Sequence, residues 1–295
     1  MADEHAVTLR QLYKSAQRGD VVQVQALLAV LAVLEVLPFM DCALTAAVRN
    51  DHANTVAMFA ARGFDTQMAS CTTLLDRAAR HGSVHVVPVL VAAKASIDGA
   101  DLTYERPLYT AAGKGHLSCV SLLLAMKART EVDRANRSAL HVAACRGHAD
   151  VVECLLLAKV DHRHINGCDE TAVYSAAAGM HAPTLHVLLG ARADVNFITP
   201  WGYTALSMAV ANECPDAVIK LLLRAKAHVH SMSKFTALHE AAALGRHTIA
   251  RLLVRAKADV HAITMLGKTA ATVALQNKHF ELAKYLEAVR ELQRT

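Results

Sequence analysis

One spacing governs this chain. Ser138 opens the clearest motif in the sequence, and its equivalents fall at Arg10, Cys42, Thr73, Arg106, Thr171, Thr204, Thr236 and Thr269, always 31 to 33 residues apart. A repeat this constant from end to end leaves no space for an appended domain. It restricts the chain to an array of similar units, each needing neighbours to cover its apolar surface. The stretch 138–157, SALHVAACRGHADVVECLLL, shows what one unit is. Ser138 supplies a hydroxyl for the first orphan N–H groups of a helix, Ala143 and Ala144 keep that helix thin, and Gly147 offers the left-handed turn that ends it. Residues 148–150 open a second helix, on which Val151, Val152, Leu155 and Leu156 form an apolar stripe.

Composition agrees with thin helices. Aromatic residues make up 4% of the 295 residues against an apolar fraction of 54%, so the core must be built from Ala, Leu and Val. The net charge of +5 is modest and its signs are interleaved, so nucleic acid is not implied by the total. Seven cysteines, odd in number and without a C-x-x-C, read as reduced thiols of a cytoplasmic or nuclear protein. The N-terminus lacks the layout of a secretory signal. The apolar run 26–39, ALLAVLAVLEVLPF, is too short to span a bilayer and reads as a buried helix continued past its usual length.

The clearest copies are RPLYTAAGKGHLSCVSLLL from Arg106, TAVYSAAAGMHAPTLHVLL from Thr171 and TALHEAAALGRHTIARLLV from Thr236, with endings such as RADVN and KADVH. These resemble ankyrin repeats. The resemblance covers about nine units, at 5–37, 38–68, 69–101, 102–133, 134–166, 167–199, 200–231, 232–264 and 265–290, the first and last acting as caps. It implies an all-α ankyrin-repeat solenoid of stacked helix-turn-helix units with projecting β-turn or hairpin fingers. It also implies a non-enzymatic, monomeric scaffold or adaptor without cofactor, which holds a partner protein or extended peptide in a concave groove. By the same resemblance, Asn196 in the ADVN segment is a possible hydroxylation site. Departures concentrate before Thr73, where Asp51 replaces the helix-ending Gly and Phe59-Ala60 replaces the Leu pair. Pro183 and Pro215 read as first residues of their helices, and Pro88 as a first-turn residue of a helix starting near Val84 or His85.

Seventeen histidines raise the question of metal. His141 and His239 fall at the TPLH position, and His52, His116, His148, His181 and His279 just after the helix-ending residue. Spaced one repeat apart, such a ladder cannot converge on an ion that needs its nitrogens at about 2.0–2.1 Å. His162 with His164 and His228 with His230 are pairs in turns, read as polar turn residues. No nucleophile stands with a base, and no phosphate loop is present. Cys145 beside Arg146 is the best-placed thiol, yet its equivalents Ala178, Ala211 and Ala243 argue for a small filler.

Surface recognition remains. Residues seven and eight after the marker should face the groove. Gln17-Arg18, Arg49-Asn50, Arg80-His81, Gly113-Lys114 and Cys145-Arg146 each contain a Lys or Arg, whereas Ala178-Gly179, Ala211-Asn212, Ala243-Leu244 and Gln276-Asn277 contain none. The groove is therefore expected to be basic first, then small and neutral. Before the markers, the fingers carry Asp101, Glu105, Asp133 and Arg134 early, and Trp201, Tyr203, Met232, Phe235, Met265 and Leu266 late. Aromatic residues and Met at solvent-facing sites anchor protein interfaces. Two readings follow: a partner protein held by fingers and groove, or an anionic partner (nucleic acid or an acidic surface) held by the basic ladder.

Overall fold

The computed structural model describes residues 2–30, 37–63, 73–99, 106–130, 136, 138–230 and 236–293. Among these, regular structure is helical: eighteen α-helices, with a single antiparallel bridge between Ile263 and Thr269. None of the described helices is long and apolar enough to cross a membrane.

The chain divides into two compact units, Met1–Val142 and Ala143–Thr295. In the first, α1 (Ala2–Arg18) pairs with α2 (Val21–Val30), α3 (Leu37–Arg49) with α4 (Ala53–Ala61), α5 (Leu74–His81) with α6 (Val86–Ala92), and α7 (Pro107–Lys114) with α8 (Leu117–Ala125). First helices pack in the row α1, α3, α5, α7, and second helices in the row α2, α4, α6. Helix α9 (Ala139–Arg146) runs through the division. The second unit continues with α10 (Ala149–Leu157), then the pairs α11 (Ala172–Ala178) and α12 (Ala182–Gly190), α13 (Ala205–Ala211) and α14 (Asp216–Arg224), α15 (Ala237–Ala243) and α16 (His247–Arg255), and α17 (Ala270–Gln276) and α18 (Phe280–Leu292). Here too the first helices α11, α13, α15 and α17 form one row and α10, α12, α14 and α16 another.

Local chemistry sets these boundaries. The hydroxyls of Thr73, Thr171, Thr204, Thr236 and Thr269 each accept the backbone N–H three residues on, at 3.1 to 3.4 Å. That contact satisfies one orphan donor at each helix start. The ninth residue after every marker has a positive φ: Gly19, Asp51, Gly82, Gly115, Gly147, Met180, Glu213, Gly245 and Lys278. The core is a ladder of small and branched side chains. Ala78-Ala79, Ala111-Ala112, Ala143-Ala144 and Ala176-Ala177 are fully buried, and so are Leu90, Leu123, Leu155 and Leu188 on the second helices. Alanine pairs let neighbouring first helices approach closely, which explains a core with so few rings.

Three expectations change. Arg10 and Cys42 lie inside α1 and α3 rather than before them, because neither side chain resembles the Thr caps and both helices begin earlier. Of the apolar run 26–39, residues 26–30 belong to α2 and Leu37–Phe39 to α3, and the expected continuation of the helix between them lies outside the described residues. Pro215 is the N-cap of α14 and Pro183 the second residue of α12. Leu156 is half-buried, so the stripe of α10 rests on Val151, Val152 and Leu155. Pro88 does fall in the first turn of α6, and α18 is longer than the second helices before it.

Candidate functional site

The basic residues expected in the groove lie where helix ends put them. Arg49 is in the last turn of α3, Arg80 and His81 in that of α5, and Lys114 in that of α7, all in the first unit. Arg49, His81 and Lys114 are exposed, Arg80 is half-buried, and Gly113 is buried instead of facing outward. Burial holds the His81 pKa below its ordinary value, and Arg49, Arg80, His116 and Arg77 push it the same way. Arg49, Arg80 and His81 therefore share one electrostatic field. Arg146 ends α9, exposed, beside the exposed Cys145.

In the second unit three fingers share one construction. Thr199 N–H donates to Tyr203 O at 2.9 Å, Gly202 N–H to Thr199 O at 2.8 Å, and Tyr203 N–H to the Thr199 hydroxyl at 3.1 Å. Thr264 and Lys268 repeat this pattern, with Gly267 N–H donating to Thr264 O at 2.9 Å. Asn166 and Glu170 do the same, the Asn166 amide oxygen accepting from Cys168 and Glu170. Thr199 and Thr264 are buried, so their two fingers are fixed at the base while the tips are exposed. Trp201 at one tip is 65% exposed, and Met265 and Leu266 at another are 73% and 76% exposed.

Tyr203 departs from expectation: it belongs to a finger base and is half-buried. Sequence reading also passed over Ile198 and Ile263, exposed next to Thr199 and Thr264. Their signal was available in the parallel strings FITPWGYT and AITMLGKT. It missed Glu240 on α15 as well, a half-buried residue whose carboxyl pKa is pushed up by burial. Met232, Phe235, Asp101, Glu105, Asp133 and Arg134 lie outside the described residues.

The histidine ladder is structural. Nε2–H of His52, His116, His181 and His279 donates to the carbonyls of Gln17, Arg80, Cys145 and Ala243 in the preceding repeat, at 2.9 to 3.1 Å. His239 Nε2–H donates to Lys268 O at 3.1 Å. No group of three or more metal-ligating side chains occurs among the described residues. Asn196 links two successive turns: its Oδ1 accepts His228 N–H at 2.7 Å and its Nδ2 donates to Lys226 O at 3.4 Å.

Comparison with known proteins places this arrangement. Residues 75–171, 172–264 and 217–288 match the family described as Ankyrin repeats (3 copies). A 55-residue stretch is 47% identical to the Arabidopsis thaliana Ankyrin repeat-containing protein ITN1; it is 18% of this chain and spans 9% of that relative's length. Among solved structures, the human ASB11 ankyrin repeat domain is similar with a TM-score of 0.63 at 24% identity, covering 71% of this chain and 96% of that one. The ankyrin repeat domain of Bcl-3, described as a unique member of the IkappaB protein family, has a TM-score of 0.62 at 25% identity, covering 71% and 97%.

Proposed function

Because the chain belongs to the ankyrin repeat family, we propose that it is a non-enzymatic scaffold or adaptor, a monomer of about nine repeats that binds a partner protein or extended peptide. The observation that carries this reading is the set of apolar side chains on fixed finger tips, Trp201, Met265 and Leu266, each more than half exposed. Burying such residues is unrewarded in the isolated chain, whereas Trp is a residue type that dominates interface energies. An extended partner advances about 3.3 Å per residue, so one repeat of about 10 Å spans roughly three of its residues. The six cysteines among the described residues are all free thiols, which suits a reducing compartment, cytoplasmic or nuclear.

The test is a double variant, Trp201→Ala with Leu266→Ala. Both side chains are exposed, so its melting temperature should match the parent's, while proteins retained by the parent should be retained at least about tenfold more weakly. Equal retention by the two proteins would sink this reading.

A second reading is favoured by the shared field around His81. Arg49, Arg80, His81 and Lys114 would hold an acidic partner or nucleic acid through charge. Binding through them should weaken steeply with salt and vanish in Arg49→Glu with Arg80→Glu. A flat salt response would remove it.

A further inference from the structure

A residue of positive φ closes the second helix of successive repeats, and six times in a row it is basic. Lys94, Lys127, Lys159, Arg192, Lys226 and Lys257 have φ between 60° and 66°, and all are exposed. Glycine adopts this conformation freely, whereas a β-carbon is strained there. The backbone task needs no ammonium: Lys226 N–H donates to Leu223 O at 3.0 Å and Lys257 N–H to Val254 O at 2.9 Å. A cation near a helix C-terminus recovers part of the strain through the helix dipole. That accounts for any one of the six taken singly, but not for what happens where two of them meet.

Lys226 and Lys257 line an open cleft of about 630 Å³ together with His228, His230 and the apolar Leu223 and Val229. No carboxylate is among the described residues of its lining. Two residues after Lys159 and Arg192 the chain has Asp161 and Asp194; after Lys226 the same place is His228. Asp259 follows Lys257, but its Oδ1 accepts the His261 N–H at 2.8 Å and it is not part of the lining. The cleft wall is held in place by Asn196, which bonds to both Lys226 O and His228 N–H. Two imidazoles alone would suggest a metal, yet two lysines beside them repel a cation and reverse the sign of the site.

We propose that this cleft binds the phosphate of a phosphorylated side chain on a partner polypeptide. Two ammonium groups balance a phosphomonoester of charge about −1.5 to −2, where a carboxylate would leave one of them uncompensated. Imidazole N–H groups add directional donors, and Leu223 and Val229 offer an apolar wall for the carbon stem. Single-stranded nucleic acid needs aromatic stacking platforms, and the described lining contains none. The site uses none of the finger-tip residues, so it stands or falls apart from the finger reading.

The experiment follows backbone amides 226–230 and 256–257 of the full chain by NMR. The probes are a short phosphoserine peptide, its unphosphorylated form, inorganic phosphate and a short single-stranded oligonucleotide. Two variants accompany the parent, K226G with K257G, and K94G with K127G; glycine suits each position, so both should fold with raised melting temperatures. Expected is a response to the phosphopeptide and none to its unphosphorylated form. Its affinity should fall at least about tenfold in K226G/K257G and stay unchanged in K94G/K127G. Absence of a response, or equal binding by K226G/K257G, overturns the site. Inorganic phosphate binding as tightly as the phosphopeptide overturns the polypeptide partner, and a tighter response to the oligonucleotide overturns it in favour of nucleic acid.

Discussion

His116 occupies the space in front of Gly82: its Nε2–H donates to Arg80 O at 3.1 Å, and a β-carbon on Gly82 would meet its Nδ1 at 2.8 Å. Gly82 is also left-handed, with φ of 74°. The glycine therefore ends a helix and makes room for the next repeat's ring. His52 stands before Gly19 and His279 before Gly245 in the same way.

This pairing predicts non-additive mutations. Gly82→Ala should cost about 2–3 kcal/mol, one part from the backbone strain and the rest from the ring it displaces. His116→Ala should cost about 1 kcal/mol for its lost hydrogen bond. In the His116→Ala background the ring is gone, so Gly82→Ala should cost only about 1 kcal/mol. Urea unfolding of the four proteins in the cycle measures the coupling, and strict additivity would refute the shared space.

His239 gives the fold a pH dependence. It is 1% exposed, its Nδ1 lies 2.8 Å from the Thr236 hydroxyl and its Nε2–H bonds to Lys268 O. Burial lowers its pKa below 6.5, although the Lys268 and Ala262 carbonyls and Asp259 oppose the shift. With the folded value below the unfolded one, the unfolded chain takes up the proton first. Stability is then greatest above about pH 6.5 and declines as pH falls toward the folded value. His239→Gln should be less stable at neutral pH but show a shallower decline between about pH 7 and pH 5, as read from urea midpoints.

Much of this was legible because repeats compare themselves. Thr171, Thr204, Thr236 and Thr269 recur at one interval, and a hydroxyl at that place can do little other than cap, as each does. Register was obscured before Thr73 because Arg10 and Cys42 cannot cap, which left α1 and α3 free to begin earlier. Trp201 was readable as a tip from its Pro-Trp-Gly setting. Tyr203, two residues on, was misplaced because its backbone bonds to Thr199, not its ring, decide where it lies. The lysines of the cleft were invisible for another reason: counting was confined to the first helices, and a left-handed Lys is not a pattern that residue preference suggests.

The capping box of α13 isolates one interaction cleanly. Thr204 Oγ1 accepts Ser207 N–H at 3.1 Å, and Ser207 Oγ accepts Thr204 N–H at 2.8 Å, both residues being buried. Thr204→Ala leaves the Ser207 amide without that partner and should cost about 1–2 kcal/mol. Thr171→Ala removes a single 3.3 Å contact and should cost less. Thermal unfolding of the two variants ranks them, and the reverse order would contradict the reciprocal cap.

Asp51 sets two effects against each other. It stands where other repeats have glycine, with φ of 58°, so Asp51→Gly should relieve strain of roughly 1 kcal/mol. Its carboxylate, however, accepts His85 N–H at 2.9 Å and Val86 N–H at 3.0 Å, and its other oxygen lies 2.6 Å from His85 Nδ1. The start of α6 has no cap from His85 itself, so Asp51 caps that helix from the neighbouring repeat. Charge-assisted bonds to two orphan amides, placed at the positive end of a helix, are together worth about 2–3 kcal/mol. The cap should outweigh the strain, making Asp51→Gly destabilising by about 1–2 kcal/mol even though it restores the residue usual at that position. Asp51→Asn separates the terms, since it keeps an acceptor oxygen and the left-handed backbone and should fall between parent and Asp51→Gly. A gain in melting temperature for Asp51→Gly would show that the strain dominates and that the contact across the repeats contributes little.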